Sequence, residues 1–393
     1  MTRLRPTVAE IVEQTLALYE DLDFSYVRAW KSKSTSRRAV GFMPVYMPRE
    51  IIHAAGMLPV GVMGGGDRLD IIKGDAYFQS YLCHIPRSTI ELALSHRLDS
   101  LDGMVFPSIC DVIRNLSGMW KLLFPEKMAR YLDFPQNFDP ALGGRFYRQE
   151  LESLRSALSE LNALPPQDSA LTHSICLFNK NRRLVKALYD LRASKPWLVP
   201  TYEAYLLLRA GNILDVEEHT QLLEDYLVRV ESEPRKPMDN IRVIVVGSFC
   251  EQPPLGLILT LERAGCYIVD DDFVLASRWI TADISKTGDP LEALVEAYLK
   301  NSTFHSSKFE GSTPKWRHLI EQVKARQADG VVFAAPSFCD PALLDQPQYE
   351  KGLEEAGIAH TTFKYAENTG QFQNIREQIG TFSDSLKLWS EAP

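Results

Sequence analysis

Asp102-Gly-Met-Val-Phe-Pro-Ser-Ile-Cys110 and Asp329-Gly-Val-Val-Phe-Ala-Ala-Pro-Ser-Phe-Cys339 follow one script. Each opens on Asp-Gly, runs through apolar residues and ends in a Pro-Ser-x-Cys turn. A short, nearly continuous apolar run bounded by turn residues is the mark of a strand buried on both faces, as in a parallel sheet.

The surroundings of the two copies match as well. Upstream of the first, Val40–Tyr46 reads as a strand. Pro48–Gly56 then reads as a helix with Pro in its first turn and Gly at its end, and Leu58–Met63 as a second strand. Downstream, Ala129–Phe134 is a fourth strand ahead of Asn137. Around the second copy, Arg242–Gly247 is a strand, Glu251–Gly265 a helix closed by Gly, and Cys266–Val269 a strand running into Asp270-Asp-Asp272. His360–Tyr365, followed by Ala-Glu-Asn368, matches the fourth strand and its Asn. Strands alternating with helices predict an α/β fold of two related doubly wound domains, flavodoxin-like or Rossmann-like, each with a parallel sheet. The boundaries read as 1–143 and 241–393. Between them, residues 144–240 carry Leu, Glu, Arg and Ala at helical spacing and read as a helical linking segment. Convergent α/β patterning is the alternative to duplication.

The 393 residues are 45% hydrophobic and 24% charged, ordinary for a globular chain with a sizeable core. Net charge is −8, and Lys and Arg are scattered, so no basic face for nucleic acid is expected. The start, Met1-Thr-Arg-Leu-Arg-Pro6, leads into an amphipathic helix without an apolar core or cleavage site, so no secretory signal is read. The longest uncharged run, Ile51–Gly66, is interrupted by Pro59 and a glycine triplet and is too short to span a bilayer. The expectation is a cytoplasmic protein. Its six cysteines are then thiols and not a disulfide framework.

Ligands of open α/β sheets bind beyond the carboxyl ends of the strands. Cys110 and Cys339 take matching positions there, so in a face-to-face pair of domains both would project into the cleft. Cys83, in Tyr77-Phe-Gln-Ser-Tyr-Leu-Cys-His-Ile-Pro86, lies just before a helix read as Arg87–Ser95. A helix N-terminus favours the thiolate, the form that ligates metal. Soft thiolates select iron–sulfur clusters or zinc, yet no C-x-x-C occurs and no ferredoxin or zinc-ribbon spacing matches. Inert buried thiols and a catalytic thiol therefore stay open. Cys176 and Cys266 read as core. Cys250, in the turn Ser-Phe-Cys-Glu-Gln-Pro-Pro254, stands where the first half has Tyr46 or Met47, and reads as either a core thiol or a near neighbour of the site. Gly64-Gly-Gly66 lacks any phosphate-loop pattern and reads as a tight turn. His53 reads as structural. His84 and Glu251 are candidates to move protons or simply to bond locally. Arg87 and Lys364 are candidates to meet an anionic coenzyme or are solvated charges.

Met43–Pro59, Gln79–Cys83, Phe106–Asn115, Gly247–Pro254, Ala335–Asp340 and Phe363–Asn368 together resemble the benzoyl-CoA reductase subunits of the 2-hydroxyacyl-CoA dehydratase superfamily, the C-type (gamma) subunits above all. The similarity runs from about residue 10 to about residue 390. The resemblance implies a 4Fe–4S cluster held by Cys83, Cys110 and Cys339, with the fourth iron open to a small ligand; Cys250 is left outside the ligand set. It implies low-potential electron transfer that dearomatises benzoyl-CoA to a cyclohexadiene-carboxyl-CoA. It also implies a complex with a homologous B-type subunit and two ATP-hydrolysing activator subunits fed by ferredoxin. ATP is handled on those partners only, in keeping with the lack of a Walker A sequence here. A 2-hydroxyacyl-CoA dehydratase subunit and a purely bracing or relaying subunit are the rival expectations.

Overall fold

The computed structural model describes residues 6–162, 166–304, 313–366 and 372–390. Asn368 lies outside the described residues. Two helices, α1 (Val8–Glu20) and α2 (Ser25–Ser32), precede the first sheet, which is formed by β1 (Ala39–Phe42), β2 (Leu58–Gly61), β3 (Gly103–Pro107) and β4 (Met128–Leu132). The helices α3 (Arg49–Ala54), α4 (His84–Leu94) and α5 (Asp111–Leu123) connect these strands. Four helices follow: α6 (Arg145–Asn162), α7 (Asp168–Ser194), α8 (Thr201–Ala210) and α9 (Val216–Val230). The second sheet holds β5 (Ile241–Val246), β6 (Cys266–Asp271), β7 (Gly330–Pro336) and β8 (Ala359–Tyr365). Its helices are α10 (Leu255–Arg263), α11 (Pro290–Asn301), α12 (Lys315–Arg326), α13 (Asp340–Glu355) and α14 (Phe372–Ser390).

The strand orders are β2-β1-β3-β4 and β6-β5-β7-β8, so the second sheet repeats the first position for position. All pairings are parallel. The strand order reverses between β1 and β3, and again between β5 and β7, which is where such sheets open a crevice at their carboxyl ends. The Asp-Gly pair that opens each copy of the quoted motif has one structural job. Asp102 donates its N–H to Ala39 O at 2.8 Å, and its Oδ2 accepts the Ala39 N–H at 2.8 Å. Asp329 repeats this clamp on Arg242, donating at 2.7 Å and accepting at 2.7 Å. Each aspartate thus ties the start of the third strand to the start of the first.

Every residue of β3 and β7 is buried, whereas β4 and β8 at the sheet edges are mostly half-exposed. The first apolar core is continuous across the two halves. It joins β1–β3 and α6 with Leu291, Leu294 and Tyr298 of α11, and includes Cys83, Cys250 and Cys339. Stacked aromatic rings line the seam: Tyr46 lies on Trp279 at 5.2 Å and Phe134 on Tyr298 at 5.3 Å between centroids. No described helix is long and apolar enough to cross a membrane.

Three elements differ from the sequence reading. The helix expected over Glu251–Gly265 starts at Leu255, because Pro253 and Pro254 hold the chain extended and Pro254 becomes the N-cap. The helix expected from Arg87 starts at His84. The strand expected over Val40–Tyr46 ends at Phe42, and Met43–Met47 continue as buried loop.

Candidate functional site: a nest of thiols at three helix N-termini

Cys83, Cys110 and Cys339 are the N-cap residues of α4, α5 and α13. α5 and α13 leave the carboxyl ends of β3 and β7, the two copies of the quoted motif, so the repeat delivers one thiol from each half. None of the six cysteines is in a disulfide. Cys83 and Cys339 are buried in the seam core and half-buried Cys110 packs against it. Each thiol lies within electrostatic reach of the others: charge on Cys339 and Cys110 acts on Cys83, and charge on Cys110 acts on Cys339.

Burial pushes all three thiols up, that of Cys339 to about 12. The helix ends oppose this. Val112 and Ile113 offer backbone N–H groups to the Cys110 sulfur, and Ala342 offers one to that of Cys339. The first-turn amides and the helix dipole favour a sulfur that carries negative charge. Buried thiolates beside one another, without a cation, cost too much to persist. A cationic group that replaces the thiol protons removes that cost.

Among the described residues, the three metal-ligating side chains with donor atoms all within 4.8 Å of one another are His53, Asp215 and Glu217, not the cysteines. Thiols on one tetrahedral zinc, each at about 2.3 Å from the metal, would have to stand closer than that. A wider set of thiols suits a multi-iron cluster, whose ligands sit on different irons. The donors are soft, buried and convergent, so they fit an iron–sulfur cluster.

Two residues between the halves hold the nest together. Glu251, buried, accepts the N–H of His84 on its Oε2 at 2.8 Å, tying the first turn of α4 to the turn after β5. Cys250, next to Glu251, is buried against the same group of thiols. Sequence reading kept Cys250 outside the ligand set, although the Pro-Pro pair after it marked an irregular turn at a strand end. A cleft of about 240 Å³ opens beside Cys83, lined by Asp70, Leu82, His84, Glu251 and Phe338 among others. Phe338 is half-exposed there and adopts a left-handed φ of +67°, a strained conformation for a bulky residue directly before Cys339.

The other sequence candidates fall elsewhere. Arg87 is paired with Asp75 at 2.6 Å on the rim of the cleft, and Lys364 is exposed on the edge strand β8. His53 bonds Ser174 through Nδ1 at 3.0 Å, lies edge-on to Phe178 and faces Glu217 at 3.7 Å. Cys266 is core in β6, and Cys176 is only half-buried on α7. Gly64-Gly-Gly66 forms a tight turn.

A family model described as "2-hydroxyglutaryl-CoA dehydratase, D-component" matches residues 44–386. The chain belongs to this family. It is 55% identical over 388 residues to the C-type subunit of the benzoyl-CoA reductase of Thauera aromatica, covering 98% of this chain and 100% of that one. It is 27% identical over 354 residues to the (R)-phenyllactyl-CoA dehydratase beta subunit of Clostridium sporogenes, covering 90% and 93% of the two chains. It is also 27% identical over 361 residues to the beta subunit of the (R)-2-hydroxyglutaryl-CoA dehydratase of Acidaminococcus fermentans, covering 91% and 94%. As a member of the 2-hydroxyglutaryl-CoA dehydratase D-component family, the chain presents its thiol nest in a fold shared with proteins whose names refer to CoA thioesters.

Proposed function

We propose that this chain is the iron–sulfur subunit of an ATP-dependent benzoyl-CoA reductase, organised as domains 1–143 and 241–393 around a helical segment 144–240. It holds a 4Fe–4S cluster on Cys83, Cys110 and Cys339 and takes part in the reduction of benzoyl-CoA to a cyclohexadiene-carboxyl-CoA. The reading is carried by the convergence of three helix-capping thiols in a chain 55% identical, over its near-full length, to a protein named as the C-type subunit of benzoyl-CoA reductase.

When bound, the cluster supplies one-electron chemistry at low potential. The chain's own residues set the conditions for it. The seam core excludes water from Cys83 and Cys339, which strengthens every charge interaction at the site. The carboxyl group of Glu251 stands close enough to push both thiols up. A negative charge at that place disfavours adding an electron and draws the potential down, as ring reduction demands. The N–H groups of Val112, Ile113 and Ala342 act the other way and keep the sulfurs charged.

In this reading the chain works in the cytoplasm, paired with a homologous B-type subunit and docked by two ATP-hydrolysing activator subunits that receive electrons from ferredoxin. Exposed Tyr81, Phe338 and Leu344, close in sequence to Cys83 and Cys339, are apolar surface that such partners would cover. The test is a reconstituted complex supplied anaerobically with ATP and a low-potential donor. Consumption of benzoyl-CoA with loss of its aromatic absorbance is expected. Turnover of a 2-hydroxyacyl-CoA, with benzoyl-CoA left intact, would assign the chain to the dehydratases instead.

A further inference from the structure

The turn after β5 is built far more rigidly than a connection between a strand and a helix requires. Gly247 and Ser248 donate their N–H groups to the two carboxylate oxygens of Asp272 at 2.6 and 3.0 Å. The Ser248 hydroxyl donates to Ala334 O at 2.7 Å. The Gln252 amide nitrogen reaches the carbonyls of Ser248, Phe249 and Cys250 at 3.3, 3.2 and 3.3 Å, while its oxygen accepts the Val274 N–H at 2.8 Å. Tyr365 donates its hydroxyl proton to Glu251 O at 2.9 Å. Backbone and side chains from β6, β7 and β8 thus fix one residue, Cys250.

Cys250 is 5% exposed and lies in the seam core with Cys83 and Cys339, with Cys110 packed against that core. Besides burial, the groups whose charge it feels are Cys339, Cys83, Cys110 and Glu251. Its sulfur therefore faces the other three thiols. The neighbouring Glu251 side chain binds the amide that follows Cys83, so the turn holding Cys250 is locked to the helix capped by Cys83. The corresponding turn of the first half carries Tyr46 and Met47 instead. Tyr46 is stacked on Trp279 and Met47 is packed in the core. The repeat therefore folds without a thiol at this position, and core packing gives no reason for one here.

We infer that Cys250 is the fourth protein ligand of the cluster, so that four thiolates occupy its four irons and the cluster of this chain relays electrons without binding substrate. The inference rests on the cluster reading above. A 4Fe–4S cube presents four iron corners, and three helix-capping thiols leave one of them to another ligand. A fourth buried thiolate on that corner leaves no iron open to a thioester carbonyl, and electron transfer to the substrate then proceeds without a bond to this cluster.

The experiment uses the chain purified anaerobically with its partner subunit, as wild type, Cys250→Ala and Cys250→Ser, with ferricyanide as the probe. A cluster with an open iron corner loses that iron on oxidation: [4Fe–4S]²⁺ gives [3Fe–4S]⁺, Fe²⁺ and one electron, which reduces ferricyanide to ferrocyanide. Iron released and the EPR signal of the 3Fe form are followed for the signals assigned to this chain. The expected result is that the wild type keeps all its iron, Cys250→Ala loses one iron per cluster, and Cys250→Ser, which retains an oxygen ligand, loses it more slowly with a shifted EPR signal. A wild type that yields the 3Fe form as readily as Cys250→Ala overturns the inference. So does a Cys250→Ala cluster as resistant as the wild type. If neither variant folds, the wild-type arm decides: resistance supports the fourth thiolate, and ready loss of one iron overturns it. A wild type without iron overturns the cluster itself, an outcome plainly different from a cluster that sheds one iron.

Discussion

Gly247→Ala is the substitution whose cost the structure states most directly. Gly247 has a φ of +109°, beyond the left-handed helical well, where a non-glycine residue costs about 1–3 kcal/mol. An added Cβ would stand 3.0 Å from Ala334 O and 3.2 Å from Ala334 C, both backbone atoms of β7 that cannot rotate aside. Forcing extra volume into such packing costs about 1–3 kcal/mol more. The sum is roughly 2–6 kcal/mol. Gly56→Ala is the matched control: its φ is +72°, and a Cβ there meets nothing within 4 Å. Its cost is the left-handed penalty alone, about 1–2 kcal/mol. Urea unfolding of both variants, followed by far-ultraviolet circular dichroism, measures the difference through the midpoint if the slope is unchanged. Gly247→Ala should lose at least about 1 kcal/mol more than Gly56→Ala, and should lower iron content because the turn carrying Cys250 moves. Equal losses, with iron unchanged in both, would refute the reasoning that this turn is fixed by close backbone contact.

Other consequences concern the frame around the site. His219 is buried, with Asn181 donating to its Nδ1 at 2.9 Å and its Nε2 proton going to Leu207 O at 2.9 Å, and burial together with the Arg49 charge lowers its pKa from 6.5 to about 4. Because the folded value lies below the unfolded one, its contribution is complete above pH 6.5 and is lost as pH falls toward 4, by about 3 kcal/mol; denaturation midpoints measured across this window should fall with acid, and His219→Gln should flatten the slope. Arg192, buried in α7, donates to Asp271 at 2.6 Å and so pins the linking helices to β6. Arg192→Met should cost about 3 kcal/mol, the low end for breaking a buried pair, since Arg278 at 3.0 Å and Tyr189 at 2.9 Å remain on the carboxylate; thermal melts check this. Tyr365→Phe removes the hydroxyl that bonds Glu251 O and should cost about 1–2 kcal/mol, seen as a lower urea midpoint.

What could be read from sequence was what is local and repeated. The Asp-Gly starts of β3 and β7 and the Pro-Ser-x-Cys turns after them were visible as a pair, and the same pair clamps the sheets and delivers Cys110 and Cys339. Continuous apolar runs marked the parallel strands, and helical spacing marked the stretch that forms α6–α9. Boundaries set by long-range contact were not visible. The start of α10 depends on Pro254 acting as a cap, although the Glu251–Gly265 run is apolar enough to extend the helix. α11 and α12, in a stretch of mixed charge between β6 and β7, gave no comparable signal. The left-handed Phe338 is likewise hidden, since a bulky residue gives no hint of positive φ. The contact between Glu251 and the amide of His84 joins residues far apart in the chain, and only the closing of the two halves brings them together. The place of Cys250 among the thiols follows from that same closure.

The central claim is a cluster held between the halves by Cys83, Cys110 and Cys339. The most direct measurement is an anaerobic absorbance and EPR spectrum, with iron and sulfide counts, of the wild type and of Cys339→Ala. The account predicts a brown wild-type protein with a 4Fe–4S signal that Cys339→Ala loses while its far-ultraviolet circular dichroism stays unchanged. A wild type that remains colourless and iron-free even when produced with its partner subunit would contradict it and leave a scaffold role for the thiol nest.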